Sequence, residues 1–301
     1  MAALCRLPGE RPVIPLLLVA TVASIVAALL YGAYRWRGTT HALHARLLAP
    51  GTPVAQATYE PTELDGLPPP VQRYFRSALT DGQPIIAAAR FAHTGTFNMG
   101  ETTPSWRAFS SRQVVSTPRP GFVWDARVRM APGVPVFVRD AYVAGEPSLH
   151  AEVLGLVTVA DEPPTPELAH GELMRYLAEA MWYPTALLPS QGVRWTPIDD
   201  SSARATLTDG PTTVSLDFRF GADGLIASST APARSRKLGQ TRVSMPWTGR
   251  AWAHDLRDGM RIPLEAEVSW IQPDGPYPYW RGGITRVEYE YARGVVHTAG
   301  D

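Results

Sequence analysis

The stretch between Arg11 and Arg35 carries no charge, and no other feature constrains this chain as strongly. Residues 13–34 read VIPLLLVATVASIVAALLYGAY. At about 1.5 Å of rise per residue, a helix of that length crosses a hydrocarbon core about 30 Å thick. The sequence therefore predicts one transmembrane helix over residues 13–36. Tyr31, Tyr34 and Trp36 stand at its C-terminal end, where amphipathic rings favour the headgroup layer. The run is long for a cleaved leader, and no small-x-small site follows it before Arg35, so an uncleaved anchor is the expectation. Arg6 and Arg11 flank one side, and Arg35, Arg37 and Arg46 the other. That small excess favours a cytoplasmic C-terminal side.

The rest divides by composition. Residues 1–12 form a tail. Residues 38–48 continue the helical pattern, and Pro50, Gly51, Pro53 and Pro61 then break it, so 37–63 reads as a linker. A soluble β-rich domain is expected over 64–293, followed by a tail at 294–301. Basic and acidic residues balance at 28 each, which leaves no field to attract nucleic acid. Cys5 is the only cysteine, so the domain has no disulfide, thiolate metal site or cysteine nucleophile. Phosphate-cradling glycine motifs are absent, and His41 and His44 lack the glutamate of a zincin helix. No metal and no cofactor are predicted.

Within the domain, Pro68, Pro69 and Pro70 open a helix over 69–79 with Val71, Tyr74, Phe75, Ala78 and Leu79 on one face. The period then drops to two. Phe91, His93, Gly95 and Phe97 alternate with polar neighbours, as do Phe122, Trp124, Ala126, Val128 and Met130. Comparable runs fall at 136–143, 149–159, 203–207, 213–220, 225–230, 262–270 and 284–291, several of them separated by Asp-Gly turns. One long helix interrupts them over 166–182, capped by Thr165 and stopped before Pro184. Its apolar stripe holds Leu173, Tyr176 and Leu177, with Glu172, Arg175 and Glu179 on or beside the opposite face. The fold class is mainly β (α+β): a curved antiparallel sheet or half-barrel with two packed helices, preceded by one N-terminal transmembrane helix.

Two polar groupings are candidates for chemistry. Glu172, Arg175 and Glu179 neighbour one another at helical spacing, and the prevailing expectation for such a set is a solvated or fold-bracing ion-pair ladder. His254 beside Asp255 has the residues to orient an imidazole, but no Gly-x-Ser-x-Gly elbow accompanies it. The tryptophans suggest something else. Core packing accounts for most aromatics, yet a curved sheet covered by only two helices also has the shape that encloses an apolar ligand.

The stretches LPPPVQRYFR (67–76), PGFVWDARVRMAPGVPVFVRDAYVAG (120–145), GELMRYLAEAMWYPTALLP (171–189) and WTPIDDSSARATLTDG (195–210) look like a family of bacterial proteins of unknown function. That match covers most of the soluble domain and implies no activity. Phe122, Val123 and Trp124 in an early strand, the helix ending at Trp182, Tyr183 and Pro184, the hairpin over 218–226, and the strand opening at 258–263 carry a second likeness. In this order they are similar to LolA/LolB-type lipoprotein-binding half-barrels. The resemblance implies a cavity for acyl chains and a domain outside the cytoplasm, against the flanking charge. Together with the aromatic-rich strands it gives the leading reading, a tethered binding protein for a lipid, lipoprotein acyl chain or other apolar ligand. Its candidate ligand contacts are Trp124, Tyr142, Tyr176, Trp182, Tyr183 and Phe218. The rival readings are a protein-interaction module and a membrane-surface enzyme using Glu172 and Glu179 or His254 and Asp255.

Overall fold

Alternating apolar and polar side chains build most of the body of the protein. The computed structural model describes residues 13–49, 56–100, 102–239 and 241–292. The tail with Cys5, the linker positions Pro50, Gly51 and Pro53, and the tail 294–301 lie outside the described residues. A first meander runs through β1 (Ile86–Asn98), β2 (Trp106–Ser116), β3 (Gly121–Ala131), β4 (Val134–Val143), β5 (Glu146–Val153) and β6 (Val157–Glu162). A second runs through β7 (Arg194–Asp199), β8 (Ser202–Asp209), β9 (Thr212–Phe220), β10 (Ile226–Leu238), β11 (Thr241–Arg257), β12 (Met260–Gln272) and β13 (Gly275–Tyr291). All pair antiparallel in one sheet of order β6-β5-β4-β3-β2-β1-β13-β12-β11-β10-β9-β8-β7. The first meander grows from the centre to one edge, and the second returns from the other edge. First and last strands therefore pair at the middle, Phe91 opposite Val287 and Phe97 opposite Trp280.

The edges β6 and β7 do not pair, so the sheet is a half-barrel and not a closed barrel. Its curl still brings distant strands together. The Tyr142 hydroxyl donates to Asp209 Oδ2 at 3.0 Å, and Glu162 on β6 meets Lys237 and Arg242 of the β10–β11 hairpin at 2.5 and 2.7 Å. Two helices occupy the concave side. Helix α2 (Pro69–Ala78) fills one end, with Tyr74 against Phe220 and Phe75 against Trp195. Helix α3 (Pro166–Glu179) carries the chain from one edge to the other. The Thr165 hydroxyl accepts the Leu168 N–H at 3.2 Å to cap it, and a 3-10 turn over Ala180–Trp182 extends it.

Three expectations are corrected here. The stretch 149–159 is two strands and not one, because Leu154 and Gly155 take left-handed conformations (φ 57° and 71°) and turn the chain. Strands β2, β7 and β11 lay outside the expected runs: β2 has a polar outer face, Pro197 interrupts the short β7, and Pro246 and Gly249 interrupt β11. Finally, α3 is not a surface helix with one apolar stripe. The sheet wraps it, burying Leu168, Gly171, Glu172, Met174 and Ala178 as well as Leu173, Tyr176 and Leu177.

Helix α1 (Val13–Leu47) is one unbroken helix whose apolar part is long enough to cross a membrane. From Gly32 onward it lies on the convex face of β2, β3 and β4, with Arg35 reaching Glu152 on β5. A Cβ on Gly32 would stand 2.8 Å from the Gly155 carbonyl oxygen, so only glycine permits this approach. Arg35 reaches both Glu152 oxygens at 2.6 Å. Trp36 is only 2% exposed, which withdraws it from the headgroup role expected of it. Its Nε1 donates to Asp125 Oδ1 at 3.0 Å, and its ring meets Phe137, His150 and the Arg139 guanidinium. Leu47 closes the contact in a small core with Val114, Val123, Ala141 and Val143. The first part of the expected linker is thus helix fastened to the sheet. Trp36→Ala should lower the stability of the detergent-solubilised full chain by about 3–5 kcal/mol in chemical denaturation. Tyr34→Ala, at an exposed site, should stay within about 0.5 kcal/mol.

Candidate ligand-binding site

Between the bulges of the sheet, every second residue of a strand points into the hollow. On β3 and β4 these are Phe122 and Trp124, and Val138, Asp140 and Tyr142. Between α3 and the sheet they leave a cavity of about 250 Å³. Its walls are aromatic, with Phe97, Trp124, Trp182, Trp247, Trp270 and Trp280 among them. One side is charged, where Asp140, Glu172, Arg175, Glu179 and Arg234 face the space. The cavity lies in the half of the sheet nearer the β1–β2 turn, whereas α2 plugs the opposite end.

Arg175 organises the charged side. Its Nη1 donates to Asp140 Oδ2 at 2.5 Å and its Nε to Glu179 Oε1 at 2.7 Å, while the guanidinium lies 4.7 Å from the Phe122 ring and 5.1 Å from that of Trp124. Gln113 donates to the second Glu179 oxygen at 2.6 Å. Arg234 is held by the Gly171 carbonyl at 3.1 Å and lies over Trp247, whose Nε1 donates to the Tyr279 hydroxyl at 3.0 Å. Several polar atoms remain without partners among the described residues: Glu172 Oε2, Asp140 Oδ1 and Trp182 Nε1. Burial, reinforced by the charge of Asp140, pushes the Glu172 carboxyl up to about 8. Asp140 is also raised by burial, against the pull of Arg175. His93, buried against Phe91 and Trp182, is driven down to about 3 by desolvation and the positive charge of Arg175.

Of the expected contacts, Trp124 and Trp182 stand on the cavity wall. Tyr142, Tyr176, Tyr183 and Phe218 are packed in the interior away from it: Tyr142 is bonded to Asp209, Tyr183 donates to the Tyr176 carbonyl at 2.7 Å, and Phe218 lies against Trp195. Of the solvated or fold-bracing ladder that helical spacing suggested, the structure has the bracing form: Arg175 and Glu179 pair at i,i+4 with only 17% and 15% of their side chains exposed, and Glu172 is buried, because the curled sheet covers that face of α3. His254 and Asp255 do not combine; Asp255 is exposed and binds Arg257 and the Leu256 N–H. Asp140, Arg234 and Gln113 had not been singled out. Asp140 left a trace, since it shares the inward phase of Val136, Val138 and Tyr142. Arg234 left none, because a bulge between Ala231 and Arg234 resets the alternation.

A family model described as a family of unknown function, DUF6920, matches residues 65–289, from before α2 almost to the end of β13. The chain belongs to DUF6920. The DUF6920 match spans both meanders and every cavity residue named above. No curated protein matches the chain. Among solved structures, a LolA superfamily protein from Nitrosomonas europaea aligns with a TM-score of 0.37 and 10% identity, over 73% of this chain and 93% of its own. A beta-barrel-like protein of domain of unknown function DUF1849 from Brucella abortus aligns with a TM-score of 0.21 and 10% identity, over 68% of this chain and 98% of its own.

The cluster makes a pH prediction for this DUF6920 chain. Glu172 binds its proton more tightly folded than unfolded, so between pH 4.5 and about 8 the unfolded state holds fewer protons and stability falls as pH rises. Glu172→Gln removes that dependence. The difference in urea midpoint between the two proteins should grow in favour of the variant across this window, and a difference that stays flat would mean the carboxyl is not raised.

Proposed function

We propose that the protein is a membrane-anchored binding protein whose half-barrel holds the apolar part of an amphiphile, such as a lipid or lipoprotein acyl chain. The observation that carries this reading is the aromatic cavity with unpartnered Glu172 Oε2 and Asp140 Oδ1 on its charged side. Buried polar oxygens left unsatisfied cost free energy, and a ligand hydroxyl or amide, which can donate to Asp140 and accept from protonated Glu172, recovers it. The volume lies just below the range of about 300–1,000 Å³ usual for ligand pockets, which suits one chain end or ring better than a whole diacyl lipid. The packing of α1 supports an uncleaved anchor, since removing it would strip Trp36 and Leu47 from their places on the sheet. In this reading the domain works outside the cytoplasm; a reporter fused after Asp301 that is active only in the cytoplasm would overturn that placement. The enzyme reading has less support: Glu172 faces the cavity, but Glu179 is engaged by Arg175 and Gln113, and Asp255 by Arg257.

A photoactivatable diazirine fatty acid, supplied to membranes holding the full chain, tests the cavity directly. Adducts are expected on Trp124, Trp182 or Trp270. Ala178→Trp, which fills the space from α3, should reduce them about tenfold, equivalent to about 1.4 kcal/mol of affinity, without lowering the melting temperature. Adducts confined to α1 would report annular lipid and sink the proposal.

A further inference from the structure

We infer that the β5–β6 hairpin is a second membrane contact, seated in the boundary layer of the bilayer beside α1. This rests on reading α1 as the membrane span. Gly32 lies within the charge-free run, three residues before Arg35 closes it. The group packed against Gly32 is the hairpin turn itself: a Cβ there would meet the Gly155 carbonyl oxygen and the Leu156 side chain, each at 2.8 Å. Whatever touches the last apolar turn of a membrane span stands at the depth where hydrocarbon gives way to headgroups.

The hairpin is built for that depth. Leu156 in the turn is 38% exposed, and Val157 and Val159 are 62% and 56% exposed on an edge strand that no other strand covers. An exposed apolar edge in water invites aggregation, and here residues 156–159 carry no charge or proline, with a bulge at Val159 as the one interruption of the edge. Arg35 holds the turn to the helix through Glu152 and the Gly155 carbonyl at 3.1 Å, on the polar side of the same contact. Register carries the surface further: Val153 is paired to Val136 near the start of β4, which places the β3–β4 turn and exposed Met130 beside it. The same end holds the β1–β2 turn and exposed Met99. The cavity lies in this half of the sheet, so docking the hairpin turns the ligand site toward the lipid.

The test uses the full chain in liposomes, with Cys5→Ser as background and single cysteines carrying an environment-sensitive nitrobenzoxadiazole dye. The positions are Val157→Cys on the hairpin, Ala23→Cys in α1, and Ser190→Cys at the end of the domain near α2. Phospholipids bearing a nitroxide near the headgroup or near the chain end serve as quenchers. The expected result is strong quenching of Val157 by the shallow nitroxide, of Ala23 by the deep one, and no quenching of Ser190. If Ala23 is quenched and Val157 is not, the hairpin contact is refuted while the anchor stands. If Ala23 is not quenched either, the anchor reading falls and takes the hairpin with it. Val157 shielding that depends on protein density and not on lipid nitroxide would assign the edge to a second copy of the chain and overturn the inference.

Discussion

Pairing of the first strand with the last is the constraint on which everything else depends. Ile86 meets Tyr291 and Phe97 meets Trp280 across nearly the whole length of the domain, so the centre of the sheet forms only when both meanders exist. Loop closure over such a separation is costly and slow, and it is the one strand pairing in the sheet that does not join consecutive strands. The pairing also decides where the cavity can be. Gly95 and Gly282 face each other in the ladder, and a Cβ on Gly282 would stand 2.7 Å from the Trp280 ring. Glycine at that point lets the indole lie over the backbone and become a wall of the hollow.

Arg175 does for the interior what that pairing does for the sheet. It pairs with both Asp140 and Glu179, and its guanidinium bonds one oxygen of each while lying over the rings of Phe122 and Trp124. A buried ion pair adds little net stability compared with a well-packed apolar alternative, so the cluster is an expensive way to fill space. Its retention makes sense if the charged side meets something. Glu172, one turn earlier on the same helix, has no such partner and keeps its proton instead.

Much of this was legible in the chain. The long apolar N-terminal helix, the two concave helices, the Thr165 cap and most strands follow from hydropathy, proline placement and period-two alternation. What escaped reading has physical causes. Strand β11 carries Pro246 and Gly249, which propensity counts against it, and only pairing to two neighbours rescues it. The burial of Glu172 and Arg175 depends on curvature, a property of the whole sheet that no local window contains. Trp124 on β3 shares its inward phase with Tyr142 on β4 and Phe218 on β9, and alternation alone does not say which faces the cavity and which packs against Asp209 or Trp195. Arg234 enters the site through a bulge, and a bulge shifts alternation without announcing itself in composition.

With α1 as a membrane anchor and the domain as a binding protein, as proposed above, the continuity of α1 bears on how a ligand would be met. About four turns of the helix beyond Gly32 are clamped to the convex face, so the apolar segment leads into the folded body without slack. A domain on a flexible tether sweeps a hemisphere above the surface and samples solutes from the third dimension. A domain held rigidly at its root moves only as the lipids move, and its encounters become those of a two-dimensional fluid, governed by lateral diffusion and by the surface density of whatever it receives from or delivers to.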